Sequence, residues 1–209
     1  VEYQAARQPV IFIEQNVDTP VDYSRMLRFY YSCQAWGGGD NCSLLPFTMT
    51  DSGFNTMNGY SYSFMNDTRV MVDASLVRTP GAEISATVQR VGDHYHFDIQ
   101  VTNQSGMTLS SANEARVYAL VYETKPPDGT THLTSRVVRA AASIGIASLA
   151  HLASGAFALD TDDLSGVVWE NLHPVVIVDY RTASGYYDAL QTAFEYYPLS
   201  VHLPLVMKD

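Results

Sequence analysis

Lysine is almost missing from this chain: Lys125 and Lys208 are the only two among 209 residues. With 12 Lys and Arg against 22 Asp and Glu, the net charge is -10. No basic stripe offsets that balance, so the surface repels phosphate backbones and nucleic acid is excluded as a partner. No apolar run approaches the roughly 20 residues that a membrane-spanning helix needs, so no membrane span is expected. Cysteine is scarce too: Cys33 and Cys42 stand alone, too few for a Cys-rich zinc site. There is no HExxH, GxSxG, GxGxxG or Walker A pattern, and Gly37-Gly38-Gly39 is not followed by Lys and Ser or Thr. What is present is an ordinary globular composition, 46% hydrophobic and 16% charged, which excludes a disordered chain. Few lysines beside 14 tyrosines point toward export. A start at Val1, without Met or a signal-peptide pattern, fits a processed or trimmed chain.

The clearest local signal is Glu83 to Asn103. Ile84, Ala86 and Val88 alternate with polar residues, and so do Tyr95, Phe97, Ile99 and Val101. Period-2 alternation gives each strand one apolar and one wet face. Gly92-Asp93 between the two runs completes a β-hairpin. Nothing earlier reads this way. Val10-Ile11-Phe12-Ile13 is continuously apolar, as in a parallel strand covered on both faces. Thr19-Pro20 starts a helix over Val21 to Ser32, with Val21, Met26, Leu27, Phe29, Tyr30 and Tyr31 on a crowded face. Leu44 to Asp51 is a second strand. Asp67 caps a helix from about Thr68 to Val77, with Val72 and Leu76 on one face. Residues 1–79 therefore read as a small β-α-β-α unit, ended by Thr79-Pro80-Gly81. After it, strands dominate through residue 200. Ala115 to Glu123 is apolar on both faces and so central. His132 to Ser143 follows the strong turn Pro126-Pro127-Asp128-Gly129. Ala156 to Leu164, Val167 to Leu172 and Val175 to Tyr180 supply more strands. Periodicity leaves Tyr186 to Tyr197 open between strand and helix. Residues 201–209, with Pro204, read as a tail or edge strand. The fold class is α+β: a small α/β unit followed by an antiparallel β-sandwich.

Several residue types carry potential chemistry. Cys33 and Cys42 lack the CxxC spacing of a redox dithiol and read as a structural disulfide closing a Gly-rich loop. Two buried free thiols and a redox pair are the alternatives. Asp160, Asp162 and Asp163 offer clustered oxygens to a hard cation such as Ca²⁺, and equally suit solvated turn charges. His94 and His96 share the wet face of one strand, where paired histidines ligate a metal if a third ligand approaches. Asp51-Ser52-Gly53 follows a strand, but Thr50 stands where a nucleophile elbow has glycine, so it reads as a polar turn. Trp36, Trp169 and the tyrosines, with Tyr60 and Tyr62 among them, supply aromatic surface for stacking sugars or meeting a protein. Asn41-Cys42-Ser43, Asn66-Asp67-Thr68 and Asn103-Gln104-Ser105 match the N-glycosylation pattern, which also arises by chance.

The order of elements resembles the Omp28-related bacterial surface proteins, in which a thioredoxin-like unit precedes an immunoglobulin-like sandwich. The residues that carry the resemblance are Pro9 to Glu14, Met71 to Leu76 leading into Glu83–Asn103, Tyr118 to Glu123, and Thr134 to Arg139. It implies export to the cell envelope or the medium and no established catalytic residues. Thioredoxin-like domains carry their cysteines just after the first strand, at a helix start that lowers the thiol pKa. Here that stretch is Gln15 to Pro20 and has no cysteine. The resemblance therefore implies a truncated thioredoxin-like unit without its redox motif. The resulting expectation is an exported, non-catalytic binding or surface-assembly module for a protein or glycan ligand, with no cofactor. Its rivals are a thiol-disulfide or other extracellular enzyme and a Ca²⁺-stabilised adhesion module. Tyr60, Tyr62, His94 and His96 are the candidate binding residues.

Overall fold

The protein is seen in a computed structural model that describes residues 10–14, 21–43, 47–58, 62–126 and 136–194. The fold is α+β and mostly antiparallel. Helix α1 covers Tyr23–Ala35, the hairpin strands β1 and β2 cover Phe47–Thr50 and Asn55–Asn58, and helix α2 covers Phe64–Leu76. The main strands follow: β3 (Ala82–Val91), β4 (His94–Asn103), the two-residue β5 (Leu109–Ser110), β6 (Arg116–Thr124) and β7 (Arg136–Gly145). The two-residue β8 (Ser148–Leu149), then β9 (Ser154–Asp160), β10 (Leu172–Arg181) and β11 (Tyr187–Phe194) complete them.

The hairpin read from Glu83 to Asn103 is β3–β4, in unbroken register from Ala82 opposite Asn103 to Val91 opposite His94. Gly92, at φ +60°, gives the turn its left-handed first residue. β9 adds to β4 and completes a three-stranded sheet in the order β3-β4-β9. A four-stranded sheet, β11-β10-β6-β7, lies across from it. The alternating residues of both sheets meet in one core, with Ile84, Val88, Phe97, Ile99 and Val101 against Val117, Ala119, Val121, Val176 and Val178. β6 is central and buried on both faces, as its sequence requires: Tyr118, Leu120 and Tyr122 point away from that core into a second one. The second core holds Val175, Ile177, Ala189 and Phe194, and Ile11, Ile13 and Val21 pack against it. The segment Tyr186 to Tyr197, open in sequence, is strand as far as Phe194.

The N-terminal part departs from the expected β-α-β-α order. Val10–Ile13 forms no regular strand; the segment makes one parallel bridge, Glu14 to Val137, at the edge of β7. The Glu14 N–H donates to Arg136 O at 2.7 Å, and the Val138 N–H donates to Glu14 O at 2.9 Å. The apolar run is thus satisfied by lying over a sheet formed much later in the chain. β1 pairs with β2 in an antiparallel hairpin, against which α2 packs. Ser63 precedes α2, and its hydroxyl donates to Asp67 at 2.6 Å, so the helix starts one turn earlier than an Asp67 cap predicts. At Thr79-Pro80-Gly81 the chain passes from α2 to β3. There the Gly81 N–H donates to Leu190 O of β11 at 2.8 Å. The Pro127–Gly129 part of the expected turn, His132, and residues 195–209 lie outside the described residues.

Candidate functional site

Helix α1 meets the four-stranded sheet through charge. Its inward face is Arg25, Arg28 and Ser32, all buried, spaced three and four residues apart on one side of the helix. The crowded apolar face expected from Met26, Leu27 and Phe29 is only half-buried, and Phe29 meets Phe47 of β1 at 5.7 Å between ring centroids. Asp179 receives the two arginines. It follows Val175 and Ile177 on the outer face of β10, where the register to β11 shifts between Val178 and Asp179. Arg25 Nη1 donates to Asp179 Oδ2 at 2.8 Å, and Arg28 Nε to Oδ2 at 2.9 Å and Oδ1 at 3.0 Å. Tyr118 lies beneath both guanidiniums at 5.2 and 5.1 Å, and Tyr187 beneath Arg28 at 4.2 Å. Aromatic faces attract cations, and the attraction grows when water is excluded. Burial pushes the Asp179 carboxyl above its ordinary range, while Arg28, Arg25 and the Ser52 hydroxyl pull it back down. Burial also works against the Arg28 charge, and Asp179 more than offsets this.

The turn between β1 and β2 joins the same network. Asp51 and Ser52 hold left-handed φ values of 45° and 62°, which costs a non-glycine residue about 1–3 kcal/mol. The strained turn brings the Ser52 hydroxyl within 2.6 Å of Arg25 Nη1, as acceptor. Ser32 Oγ donates to Ser52 O at 3.4 Å and accepts the Tyr187 N–H at 2.9 Å. Arg78 bridges Asp51 at 2.8 Å and Asp188 at 2.6 Å. Beyond Arg28, Glu114 accepts from the Tyr187 hydroxyl and from Arg181 Nη1 at 2.9 Å. Burial and the bond to Glu114 push the Tyr187 phenol up to about 12. Burial raises Glu114, but the bonds from Tyr187 and Arg181 outweigh it and hold the carboxyl below its usual range. Ser52 is therefore buried against a guanidinium. Its hydroxyl accepts from Arg25 and supports the Asp179 carboxylate, which both arginines also hold, so its bonds join the turn to the helix.

The outer end of α1 is different. Gly37, at φ +79°, ends the helix: its N–H donates to Gln34 O and that of Gly38 to Cys33 O, at 3.0 and 2.9 Å, the paired bonds of a Schellman cap. The chain then returns to close the Cys33–Cys42 disulfide. A Cβ on Gly38 would stand 2.3 Å from Cys33 Sγ and 2.7 Å from Cys42 Sγ. Trp36 caps this end. Its indole N–H donates to Gly53 O at 2.9 Å, and its ring stacks on Tyr186 at 5.0 Å and 25°. The side chain is nonetheless 52% exposed. Tyr31 and Tyr30, on the same helix, are exposed too and meet each other ring edge to ring face. Arg181 lies 5.6 Å from the Tyr31 ring, and its Nε donates to Gly185 O at 3.1 Å. The result is a fixed aromatic ledge edged by the Arg181–Glu114 pair.

The residues singled out from sequence are only partly brought together. The cysteines form their disulfide. On the wet face of β4, His96 Nδ1 lies 2.7 Å from Asp160 Oδ1, the same oxygen lies 3.8 Å from His94 Nε2, and Asp98 Oδ1 lies 3.4 Å from His96 Nε2. The Asp160 hydrogen bond raises the His96 pKa above its ordinary value. Asp160 is thus turned to the histidines, Asp162 is exposed, and Asp163 closes its own turn by accepting the Ser165 N–H at 2.7 Å. Among the described residues, no group of three or more His, Cys, Asp or Glu side chains is arranged to hold a metal ion. Tyr62 is fully exposed; Tyr60 lies outside the described residues. Asn103 of the third glycosylation pattern is buried, its amide donating to Met107 O and Leu149 O. Sequence reading passed over Arg25 and Arg28. The signal that points to them is Asp179, a lone charge inside the apolar run Val175 to Tyr180, which demands a buried partner.

No known protein family matches the chain, and no curated protein does. Among solved structures, the sporulation control protein Spo0M of Bacillus subtilis aligns at 10% identity over 56% of this chain and 48% of its own, with a TM-score of 0.36. DesR, a β-glucosidase from Streptomyces venezuelae, aligns at 13% identity over 56% of this chain and 15% of its own, with a TM-score of 0.31. The E. coli curli protein CsgC aligns at 14% identity over 53% of this chain and 96% of its own, with a TM-score of 0.27. The chain thus spans less than half of the first two. Likeness this slight carries no argument about fold or function.

Proposed function

We propose that the protein is an exported, non-catalytic binding module, of the kind that the resemblance to Omp28-related surface proteins implies. Seven strands divided three and four between facing antiparallel sheets suit an immunoglobulin-like sandwich. The thioredoxin-like reading of residues 1–79 rests on the resemblance itself. A disulfide suits an oxidising compartment. The observation that carries the binding reading is Trp36. A ring held by a stack and a hydrogen bond, yet half exposed, loses little freedom when something docks on it. Arg25, Arg28, Ser32, Ser52 and Asp179, by contrast, are buried and engaged in clamping α1 to the sheet and to the β1–β2 turn.

The non-catalytic part is tested by an insulin-reduction assay with dithiothreitol and by thiol labelling of the folded protein. Cys33 is buried, so labelling is expected only after unfolding in the presence of reductant. No acceleration of insulin reduction is expected. Turnover that disappears in Cys33→Ser would overturn the reading.

A further inference from the structure

We propose that the ledge formed by Trp36, Tyr186 and Tyr31, edged by Arg181 and Glu114, binds a neutral carbohydrate. The inference deepens the binding-module reading and rests on it. Trp36 and Tyr186 come from elements far apart in sequence: the end of α1 and the turn between β10 and β11. Two constraints lock them together. The Trp36 N–H is bound to Gly53 O at 2.9 Å, and its ring lies nearly parallel to Tyr186 at 5.0 Å. A disulfide three residues away pins the helix end. The half-exposed ring is therefore a flat apolar surface whose orientation is set before any ligand arrives. A pyranose offers the matching shape, since one side of the sugar ring presents C–H groups. Their contact with an aromatic face is favourable, and little ordering cost is left to meet.

Sugars also need polar partners at the rim. Arg181 and Glu114, paired at 2.9 Å, remain 41% and 45% exposed. Arg181 is oriented by the carbonyl of Gly185, adjacent to Tyr186, and by the Tyr31 ring. Donor N–H groups and a carboxylate acceptor side by side are the arrangement that reads vicinal hydroxyls. The charge of the whole molecule selects among ligands that stack. Nucleic acids, through their phosphates, and acidic glycans carry negative charge toward a protein of net charge -10, whereas a neutral sugar meets no such repulsion. The ledge is a few side chains wide, which suits one or two sugar units.

Native affinity electrophoresis tests this in gels cast with laminarin, soluble starch, xyloglucan or galactomannan, with polygalacturonate as the acidic counterpart. Retarded migration is expected in at least one neutral gel. Trp36→Ala should weaken that retardation at least tenfold, and Tyr186→Ala should weaken it as well. Ser85→Ala, at an exposed position of β3 on the far sheet, should leave it unchanged. Because Trp36→Ala also removes the bond to Gly53, Trp36→Phe provides a second variant that keeps a stacking ring, with circular dichroism checking that each variant is folded. Its retardation should fall between wild type and Trp36→Ala. No retardation in any neutral gel overturns the proposal, and the insulin and labelling results then still stand or fall separately. Retardation unmoved in folded Trp36→Ala, or strongest with polygalacturonate, also overturns it. So does a wild-type size-exclusion volume that reports self-association lost in Trp36→Ala, which would make the ledge a contact between copies of the chain.

Discussion

Asp179 is the side chain on which the outer face of the four-stranded sheet turns. Two guanidiniums and one carboxylate share a buried site. Removing the carboxylate strands two positive charges there, so Asp179→Ala is expected to destabilise the protein by about 3–5 kcal/mol in urea unfolding. Replacing the set together (Arg25→Met, Arg28→Met, Asp179→Leu) should come much closer to neutral, because the desolvation cost of all three charges disappears with their attraction. At the opposite surface, His96 carries a pH dependence. Its folded pKa is raised by the Asp160 hydrogen bond, against the partial cost of burial. Asp98, His94 and Asp160 are its ionisable neighbours on β4 and β9, and Gln89 faces it from β3. A raised histidine contributes stability that is fully present below the unfolded pKa of about 6.5 and is lost as pH rises through the folded value. The melting temperature of the wild type relative to His96→Gln should therefore be higher at pH 5.5 than at pH 8.5. An equal gap at both pH values would remove His96 from the account.

Among the elements, α1 shows how far a helical pattern reaches and where it stops. Its existence was legible from spacing; it begins at Tyr23 with Asp22 as its cap, two residues after the expected start, and the expected entry Thr19-Pro20 lies outside the described residues. Its inward face was not legible, because amphipathic logic assigns the apolar side to the interior, and here Asp179 reverses that choice. The disulfide was legible from an even cysteine count and a glycine-rich loop. Its setting was not: it staples the end of α1 beside Trp36 and leaves room only for glycine at position 38. Replacing both cysteines by serine is expected to cost about 2–3 kcal/mol, as suits a short closed loop, read as a lower urea midpoint. The same variant should lose rigidity at the ledge, seen as weaker quenching differences between the Trp36 environment and free indole in fluorescence. Hairpin β3–β4 was legible in full, register included, since its alternation and two-residue turn are local.

Across the whole molecule, the four-stranded sheet is covered twice: by the three-stranded sheet on one side, and by α1 with Ile11, Ile13 and Val21 on the other. Tyr118 and Val117 are neighbours in sequence but belong to different cores. Loss of either cover exposes β6. Thermal unfolding followed by far-UV and near-UV circular dichroism is therefore expected to give one coincident transition; two separated transitions would show the helical part coming away first.

The sequence by itself determined the strand-rich second half, the β3–β4 register, the buried centrality of β6 and the pairing of its two cysteines, because each depends on local periodicity or on a choice with few alternatives. Tertiary structure alone decided that Val10–Ile13 lies beside β7, that Arg25 and Arg28 face inward, and that Trp36 meets Tyr186. Those contacts join residues more than a hundred positions apart. No period in a sequence records them; they arise when a buried charge or an uncovered sheet face takes the partner that folding brings within reach.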